Sequence, residues 1–364
     1  MKKKPEFHGS DLEKIEEYYH IPKEEIVSFG ANVNPLGLSF AVKNKLADNL
    51  DIISSYPDRN YKSLKQAISR YSGADASHIV VGNGSTELIS LLISQRKPSS
   101  ALLLGPTYSE YARELSLIGG TMSYYNLKEE NDFQLDITDF LNSITEDTDL
   151  VIICNPNNPT SSALTCNELE EIIYECEKRN IFVMIDETYV EFAPSMANIT
   201  AVPLAGRYHN FMVIRGVSKF FAAPGLRFGY GITSNASFLA SLLEHQNPWS
   251  LNSIGAYAGE LMLDDKDYIQ KTRELICSER DRMMFELGKL KGAKVYDAFA
   301  NFILVKILKE DVTSFDVFEA CIQEKMMIRD CASFESLEGE FIRFCIMSPQ
   351  DNSKLIECLK RVLS

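Results

Sequence analysis

Between residues 77 and 233, short apolar runs alternate with amphipathic segments, and this limits the chain to few folds. The runs fall at 78–81, 101–104, 122–125, 150–154, 181–185, 210–214 and 228–232. Helix-period patterns separate several of them, at 86–94, 109–118 and 167–179. Strands apolar throughout, with helices between them, predict a mainly parallel sheet of seven strands covered on both faces. Ligands of such sheets bind beyond the carboxyl ends of the strands. The loops after each run are therefore where functional side chains are expected. Past this region, 267–290 has one long charged helical pattern, 300–306 and 341–347 read as strands, and 314–324 and 353–363 as helices. These predict a smaller C-terminal α/β unit. The expected division is an N-terminal arm (1–45), a large domain (46–263) and a small domain (264–364) opened by the long helix.

Charge narrows the possible partners. With 37 basic and 51 acidic side chains the formal net charge is −14, which repels nucleic acid and anionic membranes. Neither is expected as a partner, and any anion site must be local. The eight cysteines are scattered, with no CxxC pair and no adjacent histidine. They read as reduced thiols of a cytoplasmic protein, and no metal site is expected. Residues 1–5 hold three lysines without a following apolar run, so no secretory leader is expected. No stretch reaches the ~20 apolar residues of a membrane span.

Five loops carry the chemistry. Gly82-Asn83-Gly84-Ser85-Thr86-Glu87 follows one strand and opens a helix, whose free N–H groups suit an anion as well as an ordinary cap. Gly105-Pro106-Thr107-Tyr108 places an aromatic ring after the next strand, for stacking or for core packing. Asn155-Pro156-Asn157-Asn158-Pro159-Thr160 is a rigid turn with amide donors. Asp186 ends a strand where a buried carboxylate needs a cationic partner, an arginine or a protonated ring nitrogen. Residues 215–230 hold Lys219 and, eight positions on, Arg227 in a loop with Pro224 and Gly225. A desolvated lysine is a nucleophile, and an arginine fork matches a phosphate.

In this order, the five loops resemble the pyridoxal-5′-phosphate-dependent class I/II aminotransferase family (fold type I), over nearly the whole length. The resemblance implies that Lys219 bonds the cofactor's aldehyde and that Asp186 pairs with its ring nitrogen. It places Tyr108 on the ring, Asn158 and Tyr189 at its phenolic oxygen, and Gly84, Ser85, Thr86, Ser218 and Arg227 around the phosphate. Tyr56, in Tyr-Pro-Asp, matches a tyrosine that reaches the neighbouring subunit's phosphate, so a homodimer is implied. Arg343, in Phe-Ile-Arg-Phe, matches the arginine that binds the substrate carboxylate. Two departures stand out: Gly216 where the family has serine or threonine, and Ser161 where it has glycine.

The ends of the chain resemble the L-threonine-O-3-phosphate decarboxylases of cobalamin biosynthesis. The matching stretches are Phe7-His8-Gly9-Ser10, Asn32-Val33-Asn34-Pro35-Leu36-Gly37 and Ile328-Arg329-Asp330-Cys331-Ala332-Ser333-Phe334. By that likeness His8, Asn32 and Arg329 lie near the substrate's phosphate and carboxylate. The family's His-Gly-Gly is His-Gly-Ser here. The alternative expectation is a histidinol-phosphate aminotransferase using 2-oxoglutarate, which shares the core and also needs a cationic pocket. A non-catalytic ligand-binding module of this fold is the more distant alternative.

Overall fold

In the computed structural model, residues 7–364 are described; the lysine-bearing start, 1–5, lies outside them. All seven expected strands form and pair in one sheet. Across it the order is Ile79–Gly82, Gly229–Ile232, Phe211–Gly216, Phe182–Asp186, Leu150–Cys154, Ser100–Gly105 and Thr121–Asn126. Only Gly229–Ile232 runs against its neighbours; the remaining pairs are parallel. The carboxyl ends of six strands therefore share one edge.

Side chains alternate across this sheet. Val81, Leu102, Val151, Ile153, Val183 and Val213 join one buried cluster. Val80, Leu103, Ile152, Met184, Met212 and Ile214 join another. Both faces are thus dry across the inner strands, which is why those read as unbroken apolar runs; the edge strand Thr121–Asn126 stays largely exposed. Helix Cys166–Lys178 is fixed at its start by a reciprocal cap between Thr165 and Glu168.

Beyond the long helix Lys266–Leu287, four antiparallel strands form a second sheet. Their order is Arg329–Asp330, Phe341–Cys345, Phe302–Ile307 and Ala293–Val295. Helices Ser314–Gln323 and Pro349–Leu363 accompany it. The N-terminal segment joins this end of the molecule, since Val27–Ser28 pairs in parallel with Met326–Met327. Phe302, Ile303 and Phe341 belong to the same apolar cluster as Val151 and Val183, so the core continues from one sheet to the other. No helix among the described residues is long and apolar enough to cross a membrane.

Candidate active site

Two connected cavities open at the shared strand edge. The inner one, about 200 Å³, is lined by Ser85, Thr86, Tyr108, Asn158, Asp186, Tyr189, Ser218, Lys219 and Arg227. Nine of the expected residues are therefore brought together. The tenth, Gly84, has φ +85 and begins the helix Ser85–Arg96; a Cβ there would lie 2.5 Å from Arg227 Nη2. The positive φ is what requires glycine, and a Cβ would also push the Arg227 tip aside.

Asp186 lies at the back, 4% exposed. Tyr111 donates its hydroxyl proton to Oδ2 at 2.7 Å, and Thr188 donates from its hydroxyl and amide to Oδ1 at 2.5 and 2.9 Å. Burial pushes the carboxyl's pKa up while these donors pull it down. None of the donors is a cation, so a cationic ring nitrogen in the cavity would complete the pairing. At the cavity's other end are hydroxyls of Ser85, Thr86 and Ser218, the Arg227 guanidinium and the amino end of a twelve-residue helix. This donor set fits a phosphate. Gly216 contributes no hydroxyl, yet a Cβ on it would meet only ordinary contacts, Ser85 Oγ being nearest at 3.5 Å.

Lys219 borders both cavities. Its amine donates to the Ala31 carbonyl at 2.8 Å. Desolvation, then the charge of Arg343, lowers its pKa to about 8. A phosphorylated aromatic aldehyde would thus have its phosphate, its ring nitrogen and its carbonyl each met by a suitable group.

The outer cavity, about 620 Å³, holds His8, Asn32, Asn158, Arg329 and Arg343 beside Tyr108 and Lys219. Arg343 donates to Asn158 Oδ1 and to the Gly30 carbonyl. Arg329 donates to the Phe7 carbonyl and to Ser333 Oγ. The two arginines are Cα partners on adjacent antiparallel strands. Asn32 donates to the Tyr189 hydroxyl at 3.4 Å. Tyr56 lies apart from both cavities in this single chain. It is 81% exposed and packs at 4.9 Å against Trp249, beside a third cavity of about 450 Å³.

Three contributors escape the sequence. Tyr111 is buried, holds Asp186 and meets Tyr108 edge-on, with ring centroids 5.6 Å apart. It lies in the first turn of the helix Glu110–Leu117, where nothing in the sequence separates it from a core tyrosine. Thr188, two residues past Asp186, makes a local turn of a known kind. The Ala31 carbonyl has no side-chain signature at all.

Comparison with known proteins identifies the family. The family model for aminotransferase class I and II matches residues 24–359. The chain is 34% identical to threonine-phosphate decarboxylase of Salmonella typhimurium, over 98% of this chain and 96% of that protein. It is 30% identical to a histidinol-phosphate aminotransferase of Methanococcus maripaludis, over 98% and 95% of the two chains. Among solved structures, the histidinol-phosphate aminotransferase from Clostridium acetobutylicum superposes with a TM-score of 0.86 at 32% identity, covering 92% of this chain and 98% of that one. The chain belongs to the class I and II aminotransferase family and is a pyridoxal-phosphate-dependent enzyme.

Proposed function

We propose that this enzyme decarboxylates L-threonine O-3-phosphate. The observation that carries the reading is Arg329 facing Arg343 across adjacent strands, in one cavity with Lys219. Like charges placed opposite each other destabilise a sheet, and a ligand with two anionic groups offsets them. L-Threonine O-3-phosphate has a carboxylate and a phosphate in one molecule; histidinol phosphate has only the phosphate, while its acceptor 2-oxoglutarate brings two carboxylates but no phosphate. The likeness to the Salmonella decarboxylase supports the same reading. A second reading, transamination of histidinol phosphate, is favoured by the likeness to the Clostridium structure.

Bound pyridoxal phosphate supplies an electron-withdrawing ring that stabilises the negative charge left on the substrate's α-carbon. Ser85, Thr86, Ser218 and Arg227 would hold its phosphate, and Asp186 would keep a proton on its ring nitrogen. Asn158 and Tyr189 would bond its phenolic oxygen, and Tyr108 would cover the ring. Lys219 has a pKa of about 8, so an appreciable fraction of its amine is neutral near pH 7 and can bond an aldehyde. Freed from that bond, the amine can carry a proton, and the Ala31 carbonyl holds it beside the substrate cavity. Arg343 and Arg329, with His8 and Asn32, would orient the two acidic groups. Where the carboxylate is held decides which α-carbon bond is cleaved. We further propose a cytoplasmic homodimer in which Tyr56 reaches the neighbouring subunit's cofactor phosphate.

The test is a product assay on cofactor-loaded enzyme. L-Threonine O-3-phosphate should release carbon dioxide over many turnovers, and histidinol phosphate with 2-oxoglutarate should yield no glutamate. Glutamate in the second reaction, with no gas in the first, would make the enzyme an aminotransferase. Lys219→Ala should abolish either activity with the fold intact.

A further inference from the structure

Something must hold Arg329 and Arg343 side by side against their mutual repulsion, and the amino-terminal segment does so with backbone. The Phe7 carbonyl accepts from Arg329 Nη1, and the Gly30 carbonyl accepts from Arg343 Nη2 at 2.9 Å. These two carbonyls belong to segments that touch through Gly9 and Gly30. A Cβ on Gly9 would lie 2.0 Å from the Gly30 oxygen, and one on Gly30 would lie 2.9 Å from Gly9 Cα. Only a pair of glycines permits that approach.

The segment around Gly30 acts at four successive residues. The carbonyls of Phe29, Gly30, Ala31 and Asn32 accept from the Cys345 amide, Arg343, Lys219 and Asn301 respectively. A shift of Gly30 is therefore felt at Arg343. On the far side, Ser333 accepts from Arg329 Nη2 at 2.6 Å, and the Phe334 ring lies 5.5 and 5.9 Å from the two guanidinium carbons. Arg343, 5% exposed, keeps its Nε without a protein partner among the described residues.

We propose that the Gly9–Gly30 contact is a positioning device that fixes the spacing of Arg329 and Arg343, and so selects substrates bearing two anionic groups. This rests on the reading of the two arginines as substrate-binding. Gly9 and Gly30 line the substrate cavity but bring no side chain to it; they act through the carbonyls of Phe7 and Gly30.

The experiment compares holoenzymes carrying Gly9→Ala or Gly30→Ala with the wild type. Gly206→Ala serves as a control, because a Cβ at Gly206 meets nothing within 4 Å. Gly9→Ala should raise KM for L-threonine O-3-phosphate about tenfold or more, a loss of about 1.4 kcal/mol. Its kcat should stay within about threefold, cofactor affinity should be unchanged, and KM for L-threonine should move less. Because the two glycines act as one contact, the double variant should be no worse than the worse single variant. A Gly9→Ala enzyme that loads cofactor and keeps the wild-type KM overturns the proposal, as does an equal loss for L-threonine. Should Gly9→Ala fail to fold, Gly30→Ala, whose Cβ would lie 2.9 Å from Gly9 Cα, tests the same contact and should weaken the phosphorylated ligand likewise; wild-type affinity there also overturns it. Calorimetric binding of L-threonine O-3-phosphate keeps the test separate from the proposed reaction, since binding without turnover refutes only the latter.

Discussion

Lys219 sits where its charge is unwelcome, with its pKa drawn from 10.5 to about 8 by desolvation and by Arg343. A shift of that size corresponds to about 3 kcal/mol of stability given up while the amine is charged. Because the folded-state value is the lower one, both states are protonated below about pH 8 and the penalty is constant. Between about pH 8 and 10.5 the unfolded chain binds more protons, so stability rises with pH. Urea melts of cofactor-free protein should show wild type gaining about 2 kcal/mol relative to Lys219→Ala between about pH 7.5 and 9.5. Gly216 offers a second prediction. A serine fits there against Ser85 Oγ at 3.5 Å and would add a hydroxyl to the proposed phosphate cup. Gly216→Ser should tighten pyridoxal phosphate by about threefold to tenfold, given about 1 kcal/mol per added hydrogen bond, read by titrating the visible absorbance. At this scale the sequence was most legible where a chemically unusual residue directly follows a strand, as with Lys219 and Asp186. Tyr111 was illegible because a tyrosine on the apolar face of a helix looks the same whether it packs a core or holds a carboxylate.

Among the elements, six of the large-sheet strands were legible because burial on both faces leaves an uninterrupted apolar run; the exposed edge strand Thr121–Asn126 showed only a short one. The two-residue strands Arg329–Asp330 and Met326–Met327 left no such trace. They exist because neighbours far away in sequence pair with them. Arg329 illustrates the result: the likeness of 328–334 to the decarboxylases implied an anion site, but only the pairing with Phe341–Cys345 shows that it faces Arg343. Ser161 is informative in the same way. Its φ of +61 is where the family's glycine would be at ease, and it is fully buried. Its hydroxyl accepts from the Ala300 amide at 2.9 Å and its carbonyl from the Phe299 amide. The asparagine-proline loop behind Asn158 is thereby tied to the turn that enters the second sheet. Ser161→Ala keeps the strain and strands the Ala300 amide, so it should lower stability by about 1–3 kcal/mol in chemical denaturation. Ser161→Gly, which relieves the strain, should lose less.

Over the whole molecule, one apolar region has no internal cover. Ile53, Tyr56 and Trp249 border one open cavity and are exposed, and Phe40 and Leu50 of the same chain segment are exposed too. Soluble monomers seldom show so many large apolar side chains together, which supports the proposed homodimer. Sedimentation should find a dimer at micromolar concentration, and Ile53→Asp should shift it toward monomer. Trp249 is the chain's sole tryptophan, so its emission should move to longer wavelength as the dimer parts. The division at residues 45 and 263 stays a proposal, because the apolar core runs on from one sheet to the other. The acceptors at 29–32 have a consequence for synthesis. Their partners are Lys219, Asn301, Arg343 and Cys345, all made much later than the acceptors. The ribosome therefore emits the template well before its clients, a sequence separation that slows such contacts. A nascent chain that stops short of Arg343 has nothing to align a substrate there, so the activity should switch on only after that residue has been made.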